Sequence, residues 1–161
     1  MATGYIQPKE TDMKQMIAGT VMAMAAAAAP AALAGNTPAE EANKKLVVEF
    51  YERVLNQKDL AAIDRYVGPY KQHNPMAGDG PEGLKGYIQY LKEHAPQSRS
   101  EIKRVFAEGD FVILHVHAVR QPGERGQAIM DIFKVSNGKL VEHWDVIQDV
   151  PEKAANSNGM F

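Results

Sequence analysis

The sequence predicts one α+β domain in which a curved antiparallel sheet wraps over three N-terminal helices. Helical periodicity of apolar residues is confined to residues 38–94, and strand-like alternation begins at about residue 100. Helices followed by consecutive antiparallel strands are typical of α+β folds. A sheet curved over helices leaves a concave cavity between the layers, which is the usual place for a small-molecule site.

Composition excludes several classes of protein. The chain has 161 residues, which is enough for one domain with a core, and a net charge of −2. No basic run is present, so nucleic-acid binding is not expected. The absence of cysteine excludes a disulfide framework and a thiol nucleophile. The sequence contains no phosphate-binding glycine motif, and we expect no cofactor.

Residues 1–36 are predicted to lie outside the fold as an N-terminal extension and signal peptide. Residues 16–34 carry no charged side chain, and Ala32-Leu33-Ala34 followed by Gly35 fits a cleavage site for small residues. We therefore expect cleavage after Ala34, export to the periplasm and no stable membrane insertion afterwards. An alanine-rich helix or a membrane anchor is the alternative interpretation of this segment.

The folded domain is predicted to span residues 37–151 and to begin with helices. Thr37-Pro38-Ala39-Glu40 is a capping box with proline at the first helical position, and the helix should run to about Asn56. Asp59 can cap a second, short helix that ends at Gly68-Pro69. Residues 70–80 then form a loop, and a third helix runs from Pro81 to about His94.

Four strands are expected after the helices. The first two cover residues 100–107 and 111–120, and Asn137-Gly138 joins the last two in a hairpin, because both residues tolerate the positive φ of a tight turn. Pro151 ends the last strand. Residues 152–161 form a tail, although the terminal Met160-Phe161 is apolar enough to dock on the domain.

The hairpin carries ionisable side chains within apolar strand faces. Ile129, Asp131, Phe133 and Val135 alternate on one strand, as Val141, His143, Asp145 and Ile147 do on the other. Burying a charge is costly unless it is paired or used. The two carboxylates and the imidazole therefore indicate a pocket with acid–base chemistry.

The chain resembles the SnoaL-like polyketide cyclases of the nuclear-transport-factor-2-like superfamily, whose fold is a cone. The resemblance covers residues 43–151. It rests on Glu49-Phe50-Tyr51, Tyr70-x-x-His73-Asn74-Pro75, Asp79-Gly80 with Gly83, Asp131-Ile132-Phe133, and Gly138-Lys139 leading to Glu142-His143-Trp144-Asp145. It implies that Asp145 is the general acid–base of an aldol-type closure, with Asn74 lining the cavity and His143 near the carboxylate. Ile129 and Asp131 replace the family's glutamine and histidine.

We accordingly expect an enzyme that acts on a small hydrophobic carbonyl compound as a cyclase, isomerase or lyase. Asp145 would move the proton, while Asp131 and His143 would tune or share it. His73 and Asn74 would orient an oxygen of the substrate. Ile129 and Phe133, and His117 if its face is the inner one, would contact the substrate. A salt bridge from Asp131 to His143, His117 or Arg120 is the alternative for that carboxylate.

Other functions remain open from the sequence. If the face of the second strand that carries His115 and His117 points inward, these two histidines, Asp131 and His143 would form a metal site of a metal-dependent enzyme. A periplasmic small-molecule binding module without turnover is a further alternative. The resemblance also implies a homodimer formed through the outer side of the sheet, where Trp144 is expected.

Overall fold

The computed structural model describes residues 35–161. The predicted signal peptide and its cleavage site after Ala34 lie outside the described residues, so export stays a prediction. Within residues 35–161, none of the helices has the length and apolar character needed to cross a bilayer.

The helices follow the predicted order. Helix α1 spans Pro38–Phe50, and its capping box is confirmed because the Thr37 side chain accepts from Glu40 N while the Glu40 carboxylate accepts from Thr37 N. A π-helical segment, Tyr51–Asn56, extends it to the predicted end. The 3₁₀ turn Leu60–Ala62 is capped by Asp59. Helices α2 (Ile63–Tyr66) and α3 (Gly80–His94) complete the layer.

A curved, unclosed five-stranded sheet packs against the helices and confirms the predicted α+β class. Its order is β1-β5-β4-β3-β2. The strands are β1 (Val67–Gln72), β2 (Arg99–Glu108), β3 (Phe111–Val119), β4 (Gln127–Ser136) and β5 (Lys139–Asp149). The four predicted strands pair antiparallel in sequence order, and Asn137 and Gly138 adopt positive φ in the predicted hairpin turn.

Strand β1 is the main correction to the sequence prediction. Residues 70–72 belong to it rather than to a loop, and β1 pairs in parallel with β5, so the sheet is mixed. Gly68-Pro69 indicated a break, but the proline lies in an edge strand, where a missing N–H costs no ladder hydrogen bond. This extra strand brings the residues after Pro69 alongside β5.

The core lies between the helices and the concave face of the sheet. Val47, Phe50 and Val54 from the first helical stretch are at most 1 % exposed. On β3, Leu114 and Val116 are fully buried. Because neighbours on a strand point to opposite faces, this burial defines which face of β3 is the inner one.

The outer face of the sheet carries exposed apolar side chains and the end of the chain. Phe106, Met130 and Val146 are between 41 and 71 % exposed. The Phe161 ring packs against the His117 imidazole, with the ring centroids 4.4 Å apart, and beneath the Lys103 ammonium. The terminal residues therefore dock as expected, while the predicted homodimer stays a prediction that this apolar face would suit.

Gly83 is expected to tolerate no side chain. A Cβ there would lie 2.2 Å from the Gly78 carbonyl oxygen, which is backbone and cannot swing away. We expect Gly83→Ala to lower the free energy of unfolding by about 2 kcal/mol through overpacking. Gly86→Ala, on the same helix with nothing within 4 Å, should instead be neutral or stabilising by up to about 1 kcal/mol. Urea unfolding of both variants measures the contrast, and equal effects would contradict it.

Candidate functional site

A cavity of about 290 Å³ opens between the helices and the inner face of the sheet. This volume is near the lower end for ligand sites and suits a compact molecule of a few rings. Its polar groups include Tyr51, Tyr70, Gln72, Asp131, His143 and Asp145. Ile129 and Phe133, the two apolar residues expected to contact a substrate, are part of its lining, together with Leu84 and Leu91 from α3.

The hairpin brings the predicted acid–base groups together. Asp131 on β4 lies directly opposite Asp145 on β5, and Phe133 lies opposite His143. These positions share the inner face, because each is two residues from the next along its strand. Asp131, His143 and Asp145 each offer a ligand atom within 4.8 Å of the other two.

Asp131 is the buried anchor of this cluster. It is 4 % exposed, and its two carboxyl oxygens are both engaged. Oδ2 accepts a short hydrogen bond from the Tyr51 hydroxyl, and Oδ1 lies 2.8 Å from His143 Nε2. Burial, and then the charge of Asp131, raise the pKa of Tyr51 well above its ordinary value, so this phenol stays a hydrogen-bond donor.

Gln72 determines which nitrogen of His143 carries a proton. Its Oε1 accepts from the backbone N–H of Asn74 at 2.9 Å, which fixes the orientation of the amide. The same Oε1 lies 2.9 Å from His143 Nδ1. A carbonyl oxygen can only accept, so Nδ1 must donate and carries the hydrogen.

One further proton therefore belongs to His143 and Asp131 together. With Nδ1 protonated, the 2.8 Å contact between Nε2 and Asp131 Oδ1 requires a hydrogen on one of the two atoms. The pair is either imidazolium with carboxylate or imidazole with carboxylic acid. Both forms keep every hydrogen bond, and the pair can pass a single proton without rearrangement.

Asp145 differs from Asp131 because part of its carboxylate is available. Its Oδ2 accepts from Asn74 Nδ2 at 2.7 Å, and this is its one side-chain hydrogen bond within residues 35–161. Asn74 is itself held by its backbone bond to Gln72 and by accepting from Met76 N at 2.8 Å. The half-buried carboxylate is thus oriented at the cavity wall, with Oδ1 open to a ligand.

Tyr70 adds a neutral donor beside this carboxylate. Its ring stacks on the His143 imidazole at a centroid distance of 6.2 Å, and its hydroxyl has no hydrogen-bond partner in the described part of the chain. Burial, followed by the charges of Asp131 and Asp145, raises the pKa of Tyr70 far above its usual value. The phenol therefore keeps its proton and can donate to a ligand.

The structure places two predicted histidines away from the cavity. His117 lies on the outer face of β3, since the neighbouring Val116 is buried, and its Nε2 lies 2.8 Å from Arg125 O. His73 also lies outside the lining, with Nε2 2.8 Å from Glu142 Oε1 and its ring stacked on Trp144 at 4.7 Å. Neither His117 nor His73 lines the cavity, so the structure gives no support to the substrate contacts predicted for them.

The prediction of a metal site formed by His115, His117, Asp131 and His143 is wrong. His115 and His117 share the outer face, whereas Asp131 and His143 point into the cavity, so the sheet separates the two pairs. The alternative salt bridge of Asp131 is made to His143 rather than to His117 or Arg120. Asp131, His143 and Asp145 are the residues with the spacing to hold a cation, although Asp131 and His143 already hydrogen-bond to each other.

Sequence reasoning missed Gln72 and treated Tyr51 and Tyr70 as core or cavity-lining residues without a chemical role. The alternation of Tyr70 and Gln72 with Lys71 would have indicated one face of a strand, but Gly68-Pro69 obscured it. Nothing in the sequence pairs Tyr51 with a carboxylate 80 residues away. Tyr51 and Gln72 complete the hydrogen bonding of Asp131 and His143, and Tyr70 stacks on the His143 ring.

We expect Gln72→Leu to change the tautomer of His143. Leucine has a similar size but accepts no hydrogen bond, so Nδ1 should lose its proton, while Nε2 carries the proton that Asp131 accepts. Long-range ¹H–¹⁵N spectra of histidine-labelled protein distinguish the two tautomers. Gln72→Glu keeps the acceptor and should retain the Nδ1 proton. An unchanged His143 spectrum in Gln72→Leu would contradict the assignment.

One family profile matches most of the folded domain. The sequence profile described as SnoaL-like polyketide cyclase matches residues 45–155. No curated protein matches the sequence.

Solved structures with a similar fold include TsrD from Streptomyces laurentii, a candidate SnoaL-like polyketide cyclase from Jannaschia sp. CCS1 and a candidate ketosteroid isomerase from Kribbella flavida DSM 17836. Their identities to this chain are 21, 17 and 14 %, and their TM-scores are 0.57, 0.60 and 0.59. The similarity covers 70, 71 and 73 % of this chain and 91, 91 and 85 % of theirs. At such identities the likeness establishes the fold.

Proposed function

The chain belongs to the SnoaL-like polyketide cyclase family, and we propose that it catalyses proton transfer on a small hydrophobic carbonyl compound. The reaction class is an aldol-type cyclisation, an isomerisation or a related lyase step. All three begin with removal of a proton from the carbon next to a carbonyl group, which needs a positioned general base.

The observation that carries this proposal is the state of the Asp145 carboxylate. One of its oxygens is held by Asn74 at 2.7 Å, while the other is open at the wall of a mostly apolar cavity. A general base must be oriented and must also have a free lone pair for the substrate proton. Asp131 meets the first condition only, because both of its oxygens are occupied.

The neighbouring groups have separate parts in the proposal. Asp145 Oδ1 takes the proton from the α-carbon of the substrate and returns it at the end of the reaction. The Tyr70 hydroxyl donates to the carbonyl oxygen as it gains negative charge. The proton shared by His143 and Asp131 lies within reach of the same site and can balance the charge that develops there. None of these steps uses a cofactor.

Deuterium exchange into a simple ketone tests the proposal without knowledge of the natural substrate. In D₂O, ¹H NMR measures the rate at which the C1 proton signal of 2-tetralone disappears. We expect the protein to raise this rate above that in buffer alone. EDTA should leave the rate unchanged. Loss of exchange in EDTA would favour a metal-dependent enzyme, and ketone binding without exchange would favour a binding module.

A further inference from the structure

Arg120 is both exposed and part of the cavity lining, so the cavity meets solvent beside it. This end, which lies away from the acid–base groups, is called the mouth. Arg120 follows β3 and shares the inward parity of Leu114, Val116 and Ala118, so it joins the lining of the cavity. Leu114, which precedes Arg120 by six residues, lies opposite Asp131. At about 3.3 Å per residue, the Cα of Arg120 is about 20 Å along the strand from that of Leu114.

The guanidinium group of Arg120 is held in place yet available. It lies over the Tyr87 ring, with 5.6 Å between Cζ and the ring centroid, and Tyr87 is itself part of the cavity wall. Within residues 35–161, Arg120 makes no salt bridge. Ser98, Ser100 and Gln127, the polar residues of the cavity near Arg120, are uncharged. Arg120 also borders a second, more open pocket, whose charged residues are Glu124, Arg125 and Asp149.

The cavity is therefore polarised along its length. The Asp145 carboxylate stands at one end, beside the His143–Asp131 pair, and the Arg120 guanidinium stands at the other, with apolar walls between them. An anionic group of a ligand would be repelled by the first end. At the other end a guanidinium offers a planar set of donors that matches a carboxylate.

We propose that Arg120 is a specificity-determining residue that binds a carboxylate or similarly anionic group of the substrate. This inference rests on the proposed function for the position of the reactive carbonyl and adds the class of substrate: an apolar keto acid. The ligand enters with its neutral carbonyl end first and leaves its anionic end at the mouth. The orientation presents the α-carbon to Asp145 and prevents reversed binding.

Binding of two matched probes tests this inference independently of catalysis. Titration calorimetry compares 2-naphthoate with 2-naphthamide, which has nearly the same shape but no charge. We expect the wild-type protein to bind the carboxylate at least about tenfold more tightly, since charged hydrogen bonds contribute more than neutral ones. Arg120→Gln should remove the preference and leave the affinity for the amide unchanged.

The neighbouring arginine provides the control for net charge. Arg99 pairs with Val119 and is exposed but does not line the cavity, so Arg99→Gln removes the same charge and should keep the preference. Equal binding of both probes by the wild type, including failure of both to bind, would overturn the inference, as would a preference that persists in Arg120→Gln. Continued exchange into 2-tetralone would then leave the proposed function standing.

Discussion

Asp145→Asn is expected to lower the rate of α-proton exchange into 2-tetralone by about 10²- to 10⁴-fold, the usual contribution of a general base. Asparagine keeps the shape of the side chain, and its amide oxygen can still accept from Asn74 Nδ2. It lacks the basic lone pair that takes the proton from the substrate. Binding of the ketone should therefore persist while exchange is lost, which NMR measures on the same sample.

Asp149→Asn is the matched control because it changes the same residue type on the same strand. Asp149 accepts from the Gln127 amide at 2.8 Å and lies outside the main cavity. Its exchange rate should equal that of the wild type. Wild-type exchange in Asp145→Asn would refute the assignment of the base, whatever the effect at position 149.

Asp131→Ala should cause the largest loss of stability, about 3–5 kcal/mol, as expected when one partner of a buried pair is removed. The carboxylate accepts from both Tyr51 and His143 in a site almost without solvent exposure. Its removal leaves a buried hydroxyl and a buried imidazole without partners. Urea unfolding followed by circular dichroism measures the change in the free energy of unfolding.

A double-mutant comparison separates the lost hydrogen bonds from the loss of volume. Tyr51→Phe removes the hydroxyl that Asp131→Ala would leave unpaired, so the double variant should lose less stability than the sum of the two single variants. The exposed Asp64 serves as a surface control, and Asp64→Ala should change stability by no more than about 0.5 kcal/mol. Strict additivity of the first pair would argue against the network.

The sequence was sufficient for elements whose signal is local. The capping box at Thr37, the apolar periodicity that follows it and the Asn137-Gly138 turn each act within a few residues, and each predicted element is present. The turn alone does not set the register of the acid–base groups. Val135 pairs with Leu140, but the pairing then shifts by one residue before Lys134, and this irregularity places Asp131 opposite Asp145.

Features that depend on distant partners could not be predicted in this way. Both faces of β3 are apolar enough to be buried, so alternation did not decide whether Leu114 or His115 points inward. Packing against α1 decides it, because Leu114 is fully buried. Strand β1 likewise exists because β5 offers it an edge, and that pairing placed Gln72 beside His143.

The contact of Phe161 with His117 has a practical consequence for tethering the protein. The last residues leave β5, cross to the outer side of the sheet and end there, whereas the cavity opens on the inner side. Any polypeptide, dye or surface linker joined after Phe161 would therefore emerge on the side away from the ligand entrance. Immobilisation through this point should leave small molecules free to diffuse in and out.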